Sequence, residues 1–202
     1  MKGSLTLLLT NQALDSLRNS KEAKQSNRLD KEVQESVNNS LLLGLILEGL
    51  INEIGYKTLD SWTWKKLERS STPLKWRIIS GLKKGFEPGK ETLQTITKIK
   101  KLRDEIAHPK KIDLGNDVYL ISDNGKIKIN PPDDYVLPTE NFNIYFGFGT
   151  LYEKFNFESS LKNTEKVFDA ITEIVELFEM KVDYGWVYEI KKEINGLNKK
   201  YE

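Results

Sequence analysis

The chain has 202 residues, of which 38% are hydrophobic, and a formal net charge of +1, a composition typical of one folded domain with a substantial core. It has no cysteine and a single histidine, which excludes disulfides, thiolate metal sites, cysteine nucleophiles and any site that needs two imidazoles from one chain. No secretory signal is recognisable, and the most apolar run, residues 41–51, is interrupted by Glu48 and too short to span a bilayer. We therefore expect a cytoplasmic protein.

The small net charge conceals a basic middle third. Residues 1–56 have a net charge of −1, residues 57–111 carry 15 basic and 6 acidic groups for a net charge of +9, and residues 112–202 have a net charge of −7. Three tryptophans, Trp62, Trp64 and Trp76, lie within the basic third. Such a segment can attract a phosphate backbone and stack on bases, although lysines on solvated helix faces and tryptophans in a core are the common alternative.

The first half of the chain predicts helices. A sparse apolar pattern predicts a largely polar helix from Asn11 to about Ser26, at the edge of a bundle. A continuous apolar stripe predicts a long, largely buried helix from Leu29 to Gly55, where the glycine would end it. Shorter helical pieces are expected at residues 59–67 and 74–82, with a Ser-Ser-Thr-Pro break between them.

Two polar residues interrupt the apolar half of the long helix. Glu48 and Asn52 lie four residues apart and therefore on one face, where a buried carboxylate would need a partner. They are candidates for the wall of an active groove or for a subunit interface. A position at the solvated margin of the stripe is equally compatible with the pattern.

The second half of the chain begins with another predicted helix and continues with strand-like alternation. An apolar period predicts a helix from Lys90 to His108, stopped by Pro109. Alternation around an Asn-Gly pair predicts a small β-hairpin from residues 118–122 and 126–130. The aromatic stretch 143–148 fits either a strand or a loop lid, and helical period returns over residues 167–178 and 186–197. The whole predicts one all-α domain over residues 1–202, with an insertion at about 112–158.

The chemistry of the chain is concentrated where the Lys90 helix ends. Residues 102–109 read Leu-Arg-Asp-Glu-Ile-Ala-His-Pro, which places a guanidinium, a carboxylate and the single imidazole within about two helical turns. Asp104 and His108 are four apart, so the carboxylate can orient the ring. Arg103 lies about 140° away around the helix, so a phosphate held by both groups fits best in a cleft between two helices, which a two-fold dimer would supply. The alternative is a histidine that only interacts with the free carbonyls of the helix end.

These residues resemble the HEPN superfamily, whose mark is an arginine, a polar residue, a few further positions and a histidine near the end of a helix. Arg103, Asp104 and His108 match that motif position by position. The resemblance covers residues 41–111 well and 161–180 loosely, and includes the segments Leu47–Glu53, Leu67-Glu68 and Lys75-Trp76. It implies a HEPN-like antiparallel helical bundle, to which the N-terminal and C-terminal helices and the hairpin are additions.

The resemblance also implies an activity, that of a metal-independent RNA endonuclease without cofactors. Active members work as homodimers that bring two copies of the motif around one cleft. His108 would be the general base or acid, Arg103 would hold the scissile phosphate and Asp104 would orient His108, while Glu48 and Asn52 would line the cleft. The products would be a 2′,3′-cyclic phosphate and a 5′-hydroxyl. Further contacts to RNA are expected from Lys100, Lys101, Lys110, Lys111 and Trp76.

Other functions are compatible with the same residues. A non-catalytic HEPN module would use the bundle to dimerise or to bind RNA or a protein partner. In related toxins, a nucleotidyltransferase antitoxin modifies a tyrosine two residues after the histidine, but Lys110 occupies that position here, which argues against this control. An unrelated antitoxin, a fused partner from a defence system, or no regulator remain the alternatives. A plain DNA-binding protein would show salt-sensitive duplex binding without cleavage.

Overall fold

The computed structural model describes residues 5–83, 90–107, 118–122, 125–129, 143–146 and 152–198. This part of the chain is mostly helical, as the all-α prediction requires. The helices are α1 (Leu5–Gln25), α2 (Leu29–Thr58), α3 (Ser61–Leu67), α4 (Thr72–Ser80), α5 (Lys90–Ala107), α6 (Phe157–Leu177) and α7 (Trp186–Asn198), and the strands are β1 (Val118–Ser122), β2 (Gly125–Ile129) and β3 (Asn143–Phe146). None of the helices in these ranges combines the length and apolarity needed to cross a membrane.

Helix α2 is the centre of the bundle and contacts α1, α4, α5 and α6. Its apolar stripe is fully buried along the second half of the helix, where Leu43, Leu47, Leu50 and Ile54 belong to one hydrophobic core. Helix α1 runs antiparallel to it, because Thr6 near the start of α1 donates to Glu53 near the end of α2, over 2.6 Å. The long amphipathic stripe thus supplies the surface on which the other helices pack.

The prediction that Gly55 ends the long helix was wrong. Helix α2 continues for almost another turn to Thr58, and the backbone N–H of Leu59 donates to the Gly55 carbonyl. Gly55 is instead a site of close packing, since a β-carbon there would lie 2.3 Å from Cζ3 of Trp64 and 2.9 Å from Cδ1 of Ile79. The absence of a side chain lets α3 and α4 approach the helix.

Helix α1 also differs from its prediction, because it begins at Leu5 and packs along its length on α2. Many of its buried side chains are small, and they include Thr6, Thr10, Ala13 and Ser20. Small residues let two helix backbones approach closely without forming a conspicuous apolar stripe.

A buried polar seam joins α1, α2 and α6. The Glu32 carboxylate, 1% exposed, accepts the Phe157 backbone N–H at the start of α6 over 3.0 Å. Asn39 donates to the Ala13 carbonyl over 2.9 Å and accepts the Thr164 hydroxyl over 3.2 Å. Burial, with the Glu32 carboxylate nearby, raises the pKa of Tyr152 to about 12. Satisfied buried polar groups of this kind fix the register of the three helices.

The three strands form one antiparallel sheet in the order β2-β1-β3. In β1, Val118 pairs with Ile129 of β2, and Tyr119 pairs with Tyr145 of β3. Strands β1 and β2 lie at the two segments, 118–122 and 126–130, where polar and apolar residues alternate. Strand β3 lies within the aromatic stretch 143–148. The turn residues 123–124, the hairpin end at residue 130 and residues 147–148 are outside the described part of the chain.

Candidate active site

Arg103 is positioned by the packing of α5 on α2. Ile96, Ile99 and Leu102 bury the apolar face of α5 in the core, which leaves the next residue, Arg103, at the edge of the contact. The stem of Arg103 crosses α2 at Gly44, where an added β-carbon would lie 2.8 Å from Cβ of Arg103 and 2.9 Å from its Cγ. The glycine therefore makes room for the arginine.

Two carboxylates hold the guanidinium at the far end of that stem. The Nη2 of Arg103 donates to Oε2 of Glu48 over 3.3 Å, and its Nη1 donates to Oδ1 of Asp104 over 2.9 Å. The side chains of Arg103, Glu48 and Asp104 are 31%, 37% and 34% exposed. A guanidinium has five N–H donors, so the two bonds leave donors for a ligand that approaches from solvent.

Asp104 is held in its ionised form. Its carboxylate accepts from Lys100, one turn earlier on α5, as well as from Arg103. The Lys100 hydrogen bond, assisted by Arg103, holds the pKa of Asp104 below its ordinary value. Because this pKa is depressed in the folded protein, both ion pairs persist as pH falls into the ordinary carboxyl range and are lost only as pH falls through the folded value. His108, which Asp104 was predicted to orient, lies outside the described residues.

Glu48 and Asn52 share a face of α2 but have different partners. Glu48 contacts Arg103, as described above, whereas Oδ1 of Asn52 accepts from Nζ of Lys75 on α4 over 2.9 Å. Lys75 is only 2% exposed, and its ammonium lies 5.7 Å from the centre of the Trp64 ring. A buried ammonium needs such partners, so the described contact of Asn52 serves the α2–α4 packing.

The predicted RNA contacts divide into three groups. Trp76 is 1% exposed, and its indole N–H donates to the Leu47 carbonyl over 3.2 Å, so the prediction that it stacks on RNA is wrong for this conformation. Lys101 is 79% exposed and lies 4.0 Å from Glu105, which leaves it accessible to a phosphate, while Lys100 is engaged with Asp104. Lys110 and Lys111 lie outside the described residues.

Sequence reasoning missed Gly44, although a signal was present. A glycine inside a helix costs about 1 kcal/mol relative to alanine, so a helical glycine indicates close approach of another group. Gly44 lies one turn before Glu48, which is the spacing needed for Arg103 to cross the helix at the glycine and reach the carboxylate.

Within the described ranges, no group of three or more His, Asp or Glu side chains is arranged to hold a metal ion. Comparison with known proteins gives no further guide to the site. No family model, no curated protein and no solved structure matches the chain.

Proposed function

We propose that this protein is a metal-independent RNA endonuclease of the HEPN type, acting in a toxin–antitoxin or phage-defence system. The observation that carries the proposal is the placement of Arg103. Its stem is fixed over Gly44, its guanidinium is anchored by Glu48 and Asp104, and part of it faces solvent, five residues before the single histidine. A pre-positioned and accessible guanidinium suits the binding of a phosphodiester.

The reaction needs one proton acceptor, one proton donor and a cation. A base removes the proton of the ribose 2′-hydroxyl, the 2′-oxygen attacks phosphorus, and the bond to the 5′-oxygen breaks as an acid protonates it. This leaves a 2′,3′-cyclic phosphate and a 5′-hydroxyl. His108 is the acid or base, because an imidazole titrates near neutral pH, and Arg103 offsets the charge that develops on the phosphate oxygens.

We propose that a second copy of the chain completes the site, because each chain has one histidine and the reaction uses an acid and a base. Leu45, 38% exposed, lies three residues before Glu48 on α2. It therefore places an apolar group beside the ion pairs that Arg103 forms with Glu48 and Asp104. Light scattering should give about twice the chain mass of 23.3 kDa. Leu45→Lys should shift the mass toward one chain and reduce cleavage, whereas Val182→Lys, at a 98% exposed position, should do neither. Full cleavage by a wild-type monomer would contradict the composite site.

The proposed activity is tested with structured RNA in EDTA. Wild-type protein should cleave it and leave cyclic phosphate and 5′-hydroxyl ends, and it should leave the matching DNA intact because DNA lacks the 2′-hydroxyl. His108→Ala, purified identically, should lose cleavage by about 10²–10⁴-fold, the usual contribution of a general acid or base. Equal cleavage by the two preparations would show that a contaminant is responsible and would refute the proposal.

One observation favours the non-catalytic alternative. The positive charges of Arg103 and Lys100 are matched by Glu48 and Asp104, a balanced arrangement that also occurs where ion pairs serve only to join two helices. A module of that kind would still dimerise or bind RNA, but it would leave RNA intact in the EDTA experiment. Binding without cleavage would therefore select this function over the endonuclease.

A further inference from the structure

A second polar site lies on another side of α5. A cleft of about 590 Å³ opens between α5 and α6, and its lining includes Thr95 and Lys98 from α5 and Lys162, Asn163 and Lys166 from α6. Lys98 is five residues before Arg103, which separates them by about 7.5 Å along the helix and 140° around it. Arg103 reaches across α2 while Lys98 reaches across α6, so the cleft is distinct from the candidate active site.

The cleft has an excess of positive charge. Its described lining residues include three lysines and one carboxylate, Glu91, whose charge is matched by Lys166 at 2.7 Å. Lys98 donates to the neutral Oδ1 of Asn163 over 3.0 Å. Lys162 forms no ion pair with any described residue. Lys162 and Lys166 are four apart on α6 and hence on one face, where like charges repel each other. Two positive charges are therefore left for a ligand to neutralise.

The neighbouring lysines affect the pKa of Lys98. Partial desolvation, followed by the nearby charges of Lys162 and Lys166, lowers the pKa of Lys98. Neighbouring cations disfavour its charged form, and an anion bound among them would have the opposite effect.

Two of the polar side chains that line the cleft are buried. Asn163 is 5% exposed and Thr95 is 7% exposed, and the Asn163 amide is held by its hydrogen bond from Lys98. Ammonium, amide and hydroxyl donors together suit an oxyanion with several acceptor oxygens. None of the described residues that line the cleft is aromatic, so they offer no stacking surface for a base.

We propose that the α5–α6 cleft is a phosphate-binding site. An anion with a charge near −2 matches the two excess positive charges, and the volume falls within the roughly 300–1,000 Å³ of small-molecule sites, which leaves space for the group that the phosphate esterifies. The phosphate can belong to inorganic phosphate, to a mononucleotide or to the backbone of an RNA strand. The proposal goes beyond the proposed cleavage and stands without it.

The test is a calorimetric titration of the full chain at low salt with inorganic phosphate, adenosine 5′-monophosphate and a short single-stranded RNA as three probes. At least one probe should bind, and Lys162→Ala and Lys98→Ala should each weaken its binding about tenfold or more. Lys192→Ala removes the same charge from an exposed position on α7 and should leave the affinity of inorganic phosphate and the nucleotide unchanged. For the RNA probe, Lys162→Ala should reduce the salt dependence of binding by about one phosphate contact.

The pattern among the probes identifies the source of the phosphate. Binding of inorganic phosphate that Lys162→Ala weakens indicates a free anion site, and binding of the nucleotide alone indicates a small ester. Binding of RNA alone assigns the cleft to a strand backbone only if Lys162→Ala and Lys98→Ala weaken it, because the Arg103 site is itself proposed to bind RNA. Lys162→Ala removes a like-charge repulsion, so its melting temperature should not fall, and lost affinity will not reflect unfolding. Absence of binding by every probe, or equal affinity of Lys162→Ala, Lys98→Ala and Lys192→Ala, would overturn the proposal. The two proposals fail separately, because loss of RNA cleavage in His108→Ala reports on the endonuclease, whereas weaker phosphate or nucleotide binding in Lys162→Ala reports on the cleft.

Discussion

Replacing Arg103 by alanine should lower the rate of RNA cleavage by about 10²–10³-fold, the loss that usually follows removal of one group that stabilises developing negative charge. The physical reason is the loss of a fixed cation at the phosphate, since the anchoring carboxylates Glu48 and Asp104 would remain without the guanidinium between them. With Lys100 still paired to Asp104, the cluster would keep a net charge of −1 that repels the substrate. Single-turnover cleavage at saturating protein measures the effect on the chemical step.

Two controls separate chemistry from folding and from general charge. Arg103→Lys keeps the charge but loses the planar fork, so cleavage should recover only in part. Arg77→Ala removes an exposed arginine from α4 and should leave the rate unchanged. Because partly exposed ion pairs contribute only about 0–1 kcal/mol, Arg103→Ala should melt within a few degrees of wild type. Unchanged cleavage by Arg103→Ala would exclude the guanidinium from the reaction.

The candidate residues of this site could be selected from the sequence because their spacing is local, although His108 lies outside the described part of the chain. Arg103 and Asp104 lie on one helix, and Glu48 was recognised as a carboxylate that needs a partner. The sequence could not identify Arg103 as the partner of Glu48, because the two residues lie on separate helices and their pairing depends on how α5 crosses α2 at Gly44. The α5–α6 cleft was missed for the same reason, because Lys98 and Lys162 are brought together only by tertiary packing.

The helices likewise differ in how well the sequence predicted them, according to whether their buried faces are made of large apolar residues. Large apolar residues at helical spacing predicted α2 and α5 well, because a wide apolar stripe has few other ways to be buried. Helix α1 was predicted short and peripheral, since its buried face is made partly of alanine, serine and threonine, which carry little hydrophobic signal. Helix α6 begins at Phe157, ten residues before its apolar period was recognised at Val167, because buried polar residues such as Asn163 and Thr164 interrupt the stripe.

Substitution of Gly55 in α2 is expected to cause the largest change in stability. Gly55→Ala should destabilise the protein by about 1–3 kcal/mol, the usual cost of overpacking a core. The new β-carbon would lie 2.3 Å from Cζ3 of Trp64 and 2.9 Å from Cδ1 of Ile79, and both side chains are buried, so neither can move without disturbing its neighbours. At about 2–4 °C per kcal/mol for a chain of this size, thermal denaturation should register a fall of several degrees.

Gly196→Ala is the matched control, because helix propensity alone predicts the same effect for both substitutions. Alanine is favoured over glycine inside a helix by about 1 kcal/mol, and Gly196 lies in α7 with nothing within 4 Å of an added β-carbon, so this variant should be slightly more stable than wild type. Opposite signs at the two glycines would show that contact with Trp64 decides the outcome at Gly55. In a Trp64→Leu background the ring is gone, and Gly55→Ala should cost less than it does in the wild type, with the difference measuring the coupling of the two positions. A stabilising Gly55→Ala would mean that Trp64 does not pack against α2 as the structure places it.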